Sequence, residues 1–193
     1  MEPIISIAHF KMQFGKTEVI KDLSFEVKRG ETFGFLGSNG SGKTTTIRAL
    51  LGIYQPTAGE LLIDGKPYSV SSGIKLGYLP EERGLYKKEP VIDIMTYFGQ
   101  LKGMSRLDAR QKSLDFLKRV DLLDKAKTRL DKLSGGQQQK VQLGITVIDN
   151  PELLILDEPT KGFDPVNRRL LMEIIEEHQA KGATVVMITH QME

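Results

Sequence analysis

A glycine-rich run at residues 37–44 has the composition of a phosphate-binding loop. It fits the pattern G-x-x-x-x-G-K-[ST] at every position, with Gly37, Ser38, Asn39, Gly40, Ser41, Gly42, Lys43 and Thr44. Glycines let successive backbone N–H groups wrap around a phosphate, and a following helix adds its positive N-terminal end. Lys43 would reach the β- and γ-phosphates, the Thr44 hydroxyl would bind Mg²⁺, and Thr45 joins the same nucleotide-binding set. The alternative is a chance glycine turn, but an apolar strand precedes the loop and a helix follows it.

Two acids follow a short apolar run at residues 153–156. They are Asp157 and Glu158. Because open α/β sheets bind ligands at the C-terminal ends of their strands, these carboxylates are candidates for chemistry. Asp157 would hold Mg²⁺ through water, and Glu158 would orient or deprotonate an attacking water. Taken alone, the pair could also be surface acids at a strand end. The intact phosphate loop favours the catalytic interpretation.

A second candidate for anion binding lies at the start of a predicted helix. Here Ser134 can cap the helix, Gly135 and Gly136 leave the backbone accessible, and Gln137 follows. A helix N-terminus built in this way can hold an anion. It can equally be an ordinary capped helix start, and the residues alone favour neither interpretation.

One histidine stands where chemistry is expected. His190 follows an apolar strand, at the C-terminal end where a neutral imidazole can hydrogen-bond to phosphate and water. We expect it to lie beside the γ-phosphate if that strand pairs within the same sheet. His9 and His178 have no such context, and both are interpreted as non-functional. Asp164 is interpreted as a helix N-cap.

The elements that must position these residues alternate along the chain. The patterns predict strands at 4–8, 23–27, 32–36, 60–63, 153–156 and 184–188. Helices are predicted at 43–51, from Pro90 to a stop at Gly103, after a cap at Ser105, at 136–149, and from Pro165 to Gly182. In the second of these, an apolar stripe would run from Val91 to Leu101.

This order predicts an α/β fold. It comprises a P-loop NTPase core with a mostly parallel sheet, an N-terminal antiparallel β subdomain, and an inserted helical subdomain at about 83–150. The 193 residues are expected to form a single domain, 39% hydrophobic and 27% charged. A net charge of +2 gives no reason to expect nucleic acid as a partner. The absence of cysteine excludes disulfides, and no apolar run could span a bilayer, so a cytoplasmic location is expected.

Together these segments resemble the nucleotide-binding domain of an ATP-binding cassette (ABC) transporter. The most specific likeness is the signature at 133–137, placed twenty-odd residues before Asp157. The resemblance implies ATP and Mg²⁺ as cofactors, and two such domains arranged head to tail. ATP on the phosphate loop of one domain would then be covered by Ser134, Gly135, Gly136 and Gln137 of the other. It also implies membrane-spanning subunits as partners and a peripheral position on the inner face of the membrane.

Further positions take roles from the same resemblance. Phe14 would stack on adenine, the alternative being a core phenylalanine. Asp164 would lie in a loop that crosses the dimer interface, and His190 would contact the γ-phosphate. Glu81 stands where the family usually has glutamine. An acid there can still bind metal and water, and we count Glu81 among the metal-binding and catalytic residues, although it adds negative charge near phosphate.

The resemblance leaves one subgroup and two rival functions to test. The segment Pro80-Glu81-Glu82-Arg83-Gly84 is similar to the ATPases of ABC-2-type exporters, including NatA-like sodium exporters. The chain ends three residues after His190, where family members continue, so a C-terminally truncated domain is expected. One rival is a soluble ABC ATPase without a membrane partner, acting in translation, on chromosomes or in cofactor assembly. The other is a P-loop GTPase or kinase, but an Asn-Lys-x-Asp base-reading motif is missing.

Overall fold

The strands form two sheets within residues 2–82 and 84–190, which the computed structural model describes. An antiparallel sheet has the order β2-β1-β4, with β1 at Pro3–Phe14, β2 at Thr17–Lys28 and β4 at Ala58–Ile63. A parallel sheet has the order β3-β7-β6-β5, with β3 at Thr32–Leu36, β5 at Leu76–Leu79, β6 at Leu153–Asp157 and β7 at Thr184–Thr189. The predicted α/β fold, with its parallel core and antiparallel N-terminal sheet, is confirmed.

The helices connect these strands and contribute much of the apolar surface between them. They are α1 at Lys43–Leu50, α2 at Val91–Leu101, α3 at Arg106–Arg119, α4 at Gly135–Val147 and α5 at Pro165–Ala180. The predicted caps are confirmed, because the side chains of Ser105, Ser134 and Asp164 each accept a hydrogen bond from a backbone N–H in the first turn. None of the helices in the described residues is long and apolar enough to cross a membrane.

The buried apolar residues hold the layers together. One cluster joins the antiparallel sheet to α1 and to one face of the parallel sheet, where Ile155 and Val186 point. A second fills the space between α2, α3 and α4, where Val141 and Ile145 of α4 belong to it. A third covers the other face of the parallel sheet, with Leu143 and Val147 of α4 packed among residues of α5. Helix α4 thus fastens the helical segment to the sheet that carries the acids.

The local structure departs from the sequence prediction in several places. Strands β1 and β2 each run for twelve residues, more than twice the predicted length, and the sequence prediction missed β5. Pro90 is the N-cap of α2 rather than its first helical residue, since its ψ of 141° is extended. Leu101 ends the predicted stripe but is 61% exposed. Helix α4 begins one residue earlier and ends two residues earlier than predicted. Arg83 and the expected helix start at 191–193 lie outside the described residues.

Candidate functional site

Strand pairing brings the candidate residues to one edge of the parallel sheet. Leu36 at the end of β3 pairs with Thr189 of β7, and Asp157 at the end of β6 pairs with Ile188. The glycine-rich loop follows β3, and His190 follows β7. Because parallel strands share a C-terminal edge, the loop, the acids and the histidine converge there.

The glycine-rich loop has a shape that side chains would obstruct. Gly42, the residue before α1, has a φ of 91°, in the left-handed region that favours glycine. A Cβ atom on Gly42 would lie 2.3 Å from Cδ1 of Ile20, a side chain of the antiparallel sheet. The loop therefore passes against β2 with no room for a larger residue. This close approach gives a physical reason for glycine at this position.

Lys43 and Thr44 begin α1 and are held by their neighbours. The ammonium of Lys43 donates hydrogen bonds to the carbonyl oxygens of Gly37, at 2.6 Å, and Ser38, at 2.9 Å. The ammonium therefore lies over the glycine-rich loop, where phosphate oxygens can replace these two carbonyl oxygens as its partners. The Thr44 hydroxyl donates to Oδ2 of Asp157 at 2.8 Å, joining the loop directly to the end of β6.

The acids at the end of β6 are buried. Asp157 is 1% exposed and Glu158 is 7% exposed. Burial raises the pKa of the Asp157 carboxyl above its ordinary value. The hydrogen bond from Thr44 opposes this rise, and the negative charges of Glu81 and Glu158 add to it. A divalent cation at this position would offset the clustered negative charge.

Glu158 and His190 form a pair beside these acids. Oε1 of Glu158 lies 2.7 Å from Nδ1 of His190, and Oε2 accepts a hydrogen bond from the Thr189 hydroxyl at 3.4 Å. With Glu158 ionised, Nδ1 must carry the proton, because a bare nitrogen would face a carboxylate. The other ring nitrogen then accepts from water when the ring is neutral, or donates to a phosphate oxygen when it is charged.

These groups surround a cavity of about 370 Å³, within the size range of small-ligand pockets. It is lined by Val19, Asn39, Gly40, Gly42, Lys43, Thr44, Thr45, Glu81, Asp157, Glu158, Lys161 and His190. Sequence reasoning missed Val19 and Lys161. The Lys161 ammonium lies 2.5 Å from Oε1 of Glu81, so it pairs with an acid that the sequence analysis predicts to bind metal.

Comparisons with known proteins agree with this geometry. A family model described as ABC transporter matches residues 20–161. The chain is 44% identical over 194 residues to "Uncharacterized ABC transporter ATP-binding protein MJ1023" of Methanocaldococcus jannaschii, covering 100% of this chain and 70% of that protein. This chain belongs to the ABC transporter ATP-binding protein family.

Other members and solved structures extend the likeness. "Nod factor export ATP-binding protein I" of Rhizobium sp. is 37% identical over 98% of this chain and 63% of its own length. A structure described as "ATP binding subunit of ABC transporter" has a TM-score of 0.86 at 28% identity, covering 97% of this chain and 79% of the other. The cbiO1 protein of Clostridium perfringens has a TM-score of 0.79 at 26% identity, covering 99% and 80%. The chain spans 70% and 63% of the length of the two curated relatives named above.

Within this ABC ATP-binding domain, some candidate residues lie apart from the cavity. The signature residues Ser134, Gly135, Gly136 and Gln137 do not line it. Ser134 and Gln137 instead form a reciprocal capping box, in which each side chain accepts from the other residue's backbone N–H. Within this chain, the signature is a capped helix start that lies outside the lining of the cavity.

Phe14 is also outside the lining of the cavity. Phe14 is 45% exposed, which contradicts the alternative of a core phenylalanine. It contacts Tyr54 edge to face, with ring centroids 5.4 Å apart. An exposed aromatic surface of this kind can stack on a base, but its role toward adenine stays a prediction.

The oxygen ligands of the cavity suit magnesium. The described residues include no cluster of three or more histidine, cysteine or acidic side chains that could enclose a metal alone. Mg²⁺ usually binds through one or two carboxylates together with phosphate oxygens and water. The Thr44 hydroxyl and the carboxylates of Asp157 and Glu81 are hard oxygen donors of this type, so the residues present fit the ion.

Proposed function

We propose that this chain binds MgATP in the cavity at the phosphate loop and hydrolyses it, as the ATP-binding subunit of an ABC transporter that moves a solute across a membrane. The observation that carries the proposal is the 2.8 Å hydrogen bond between Thr44 and Asp157. It joins the phosphate loop to the strand-end acids, so a single ligand can meet both.

Each residue has a distinct task in this proposal. Lys43 exchanges its backbone carbonyl partners for phosphate oxygens, and the glycine-rich loop donates backbone N–H groups to them. Thr44, Asp157 and Glu81 hold Mg²⁺, which supplies positive charge against the phosphates when it is bound. Glu158 accepts a proton from the attacking water while His190 fixes the position of its carboxylate. Catalysis is then positioning and charge stabilisation rather than covalent chemistry.

The proposed partners are supported by what relatives and structural neighbours are named for. Membrane-spanning subunits are proposed because relatives are named for export and because the cbiO1 structure is described as part of the transporter complex cbiONQ. Bound to them, the chain would lie on the inner face of the membrane. The proposal also includes a second ATP-binding domain, facing the first head to tail. Support comes from the signature, which lies outside the cavity of its own chain and so is available to another. An ABC-2-type exporter is the subgroup we propose.

Calorimetry with MgATP tests the nucleotide site. We expect binding to the wild-type chain and a loss of affinity of at least about tenfold in Lys43→Met, since a charge-assisted hydrogen bond to phosphate is removed. Lys125→Met is a matched control, because Lys125 is an exposed lysine paired with Asp124 at 3.0 Å and does not line the cavity. Absence of MgATP binding to folded wild-type chain would refute the proposal, and a preference for GTP would favour the GTPase alternative.

Purification from native membranes separates a transporter subunit from a soluble ABC ATPase. A transporter subunit is expected to elute with a membrane protein in mild detergent, and the membrane fraction should bind the chain again after a salt wash. Recovery with ribosomes or DNA and without any membrane protein would favour the soluble alternative.

A further inference from the structure

The ion pair of Lys161 and Glu81 spans one side of the cavity. Glu81 follows β5, and Lys161 lies in the turn after β6, where its backbone N–H donates to the carbonyl oxygen of Glu158 at 3.0 Å. The side-chain distance is 2.5 Å, and both residues line the cavity. The turn that places Glu158 in the site therefore places Lys161 there as well.

The charges around the cavity indicate what the ion pair of Lys161 and Glu81 does. Its lining includes the carboxylates of Glu81, Asp157 and Glu158, facing the ammonium groups of Lys43 and Lys161 and the imidazole of His190. Without Lys161, the described lining residues would set only Lys43 and His190 against these acids, and a triphosphate would bring further negative charge. The carboxylate of Glu81 also acts on Asp157, since its charge helps to raise the pKa of that buried acid. The Glu81 charge thus reaches the place where metal and phosphate are proposed to bind.

We infer that Lys161 is a positioning residue of the nucleotide site, which neutralises Glu81 when no metal is present and releases this carboxylate toward the metal when MgATP binds. The inference rests on the proposed function and adds a residue to it. Lys161 allows the site to carry an acid at Glu81 without repelling phosphate. An ordinary surface ion pair would have little effect on either stability or ligand binding.

The dependence of nucleotide affinity on magnesium tests this inference without relying on turnover. Calorimetry measures the dissociation constant of a non-hydrolysable ATP analogue twice, once in the presence of Mg²⁺ and once in the presence of a chelator. In Lys161→Met the unpaired Glu81 repels the bare nucleotide, and affinity in the chelator should fall about fivefold. With Mg²⁺ the loss should be less than about twofold, because the cation takes over the neutralisation. The ratio of the dissociation constant in the chelator to the dissociation constant with Mg²⁺ should therefore rise in Lys161→Met.

Companion variants separate charge from structure. The double variant Lys161→Met with Glu81→Gln should return the ratio to within about twofold of wild type, since it removes both charges together. Lys161→Arg should keep the wild-type ratio. Glu81→Gln alone should lower the ratio, because an unpaired lysine attracts the bare nucleotide. Lys125→Met serves again as the control for the loss of one exposed lysine and should change nothing.

The outcomes distinguish this inference from the proposed function. If wild-type chain binds no nucleotide at all, the proposed function fails. If wild type binds but Lys161→Met leaves the ratio unchanged, or if the double variant stays as weak as the single one, only the role of Lys161 is refuted. Should Lys161→Met fail to fold, Lys161→Gln, which also removes the charge of this exposed side chain, decides the same question by the same ratio.

Discussion

Glu158 combines a buried side chain with an unusual backbone. Its φ of 50° is rare for a residue other than glycine and costs of order 1–3 kcal/mol, so surrounding contacts must hold it in place. Its N–H donates to the carbonyl oxygen of Ile188 at 2.9 Å, and its carboxylate is paired with His190. Backbone strain that is held by several contacts is common at functional sites, where a side chain needs one fixed orientation. Here it aims an acid into the cavity.

Replacement of Glu158 by glutamine tests its role as the base. Glu158→Gln keeps the size and polarity of the side chain but cannot accept a proton, so turnover should fall at least about a hundredfold. The affinity for MgATP should change by less than about threefold. Phosphate release and calorimetry measure the two quantities. Glu173→Gln is the matched control, because Glu173 is an exposed acid of α5 paired with Arg169 at 3.4 Å. Unchanged turnover in Glu158→Gln would remove Glu158 from this role.

The hydroxyl of Thr44 makes a separate contribution in the absence of metal. In Thr44→Val the buried Asp157 loses its donor, so the free energy of unfolding in a chelator should fall by about 1–2 kcal/mol. Thr44→Ser keeps a hydroxyl and should retain most of the stability. Urea unfolding of the two variants provides the comparison. If Thr44→Val and Thr44→Ser are equally stable, the hydrogen bond from Thr44 to Asp157 does not contribute to the stability of the fold.

For single residues, the sequence analysis predicted most of those around the cavity. The loop, Asp157, Glu158 and His190 each follow an apolar strand, so the local pattern places them at one edge of a sheet. Lys161 has no such signal. Its partner Glu81 is 80 residues away in the chain, and the pair exists only because β5 lies next to β6. Contacts set by strand order cannot be derived from local spacing.

Among the elements, predictions failed where packing overrides the local pattern. The prediction for β1 ended at residue 8, but the strand continues through His9, whose φ of 49° accompanies a register shift against β2. Strand β5 has four residues and contains Gly77, which weakens any sequence signal. A Cβ atom on Gly77 would lie 2.6 Å from the carbonyl oxygen of Thr146 in α4. That glycine allows the helix to approach the sheet, which only the tertiary structure reveals.

Helices α3 and α5 are joined by a bidentate ion pair. Arg119 donates to both carboxylate oxygens of Glu177, at 2.7 and 2.5 Å, and so ties the helical segment to the core. The hydrogen bonds from Arg119 lower the pKa of Glu177 below its ordinary value. A lowered native pKa means that the stabilisation is complete above the unfolded pKa of about 4.3 and is lost as the pH falls through the native value.

The acid dependence of stability tests this pair. Glu177→Gln should unfold more easily than wild type at pH 7, by about 0.5 kcal/mol, because the pair is partly exposed and screened by solvent. The difference should begin to shrink as the pH falls below the unfolded pKa of about 4.3, and it should vanish below the lowered native pKa, where the folded carboxyl is protonated too. Urea unfolding at several pH values measures it, with Glu173→Gln as the control for an exposed helical acid. A difference that stays constant down to pH 3 would assign the effect to packing instead.

In the whole molecule, the two segments predicted to bind anions lie apart. The phosphate loop opens into the cavity at the edge of the parallel sheet, while the signature at the start of α4 is outside that cavity. Gly136 has no positive φ, and the nearest atom to a Cβ there would be the carbonyl oxygen of Gly162 at 3.8 Å. A Cβ atom therefore fits at this position, and the backbone conformation is one that residues other than glycine adopt. We therefore expect Gly136→Asp to place a negative charge at the signature and to keep the fold.

Mixing two inactive variants tests the proposed head-to-tail dimer. Lys43→Met damages the phosphate loop, Gly136→Asp damages the signature, and each alone should show little ATPase activity. In a mixed dimer, the loop of the second chain meets the signature of the first, so one site is intact. At equal amounts, half of the dimers are mixed, and activity should return to about a quarter of wild type. Lys43→Met mixed with Glu158→Gln is the control, because every site then keeps a defect in its own chain. If the first mixture is no more active than this control, the two features do not meet across an interface.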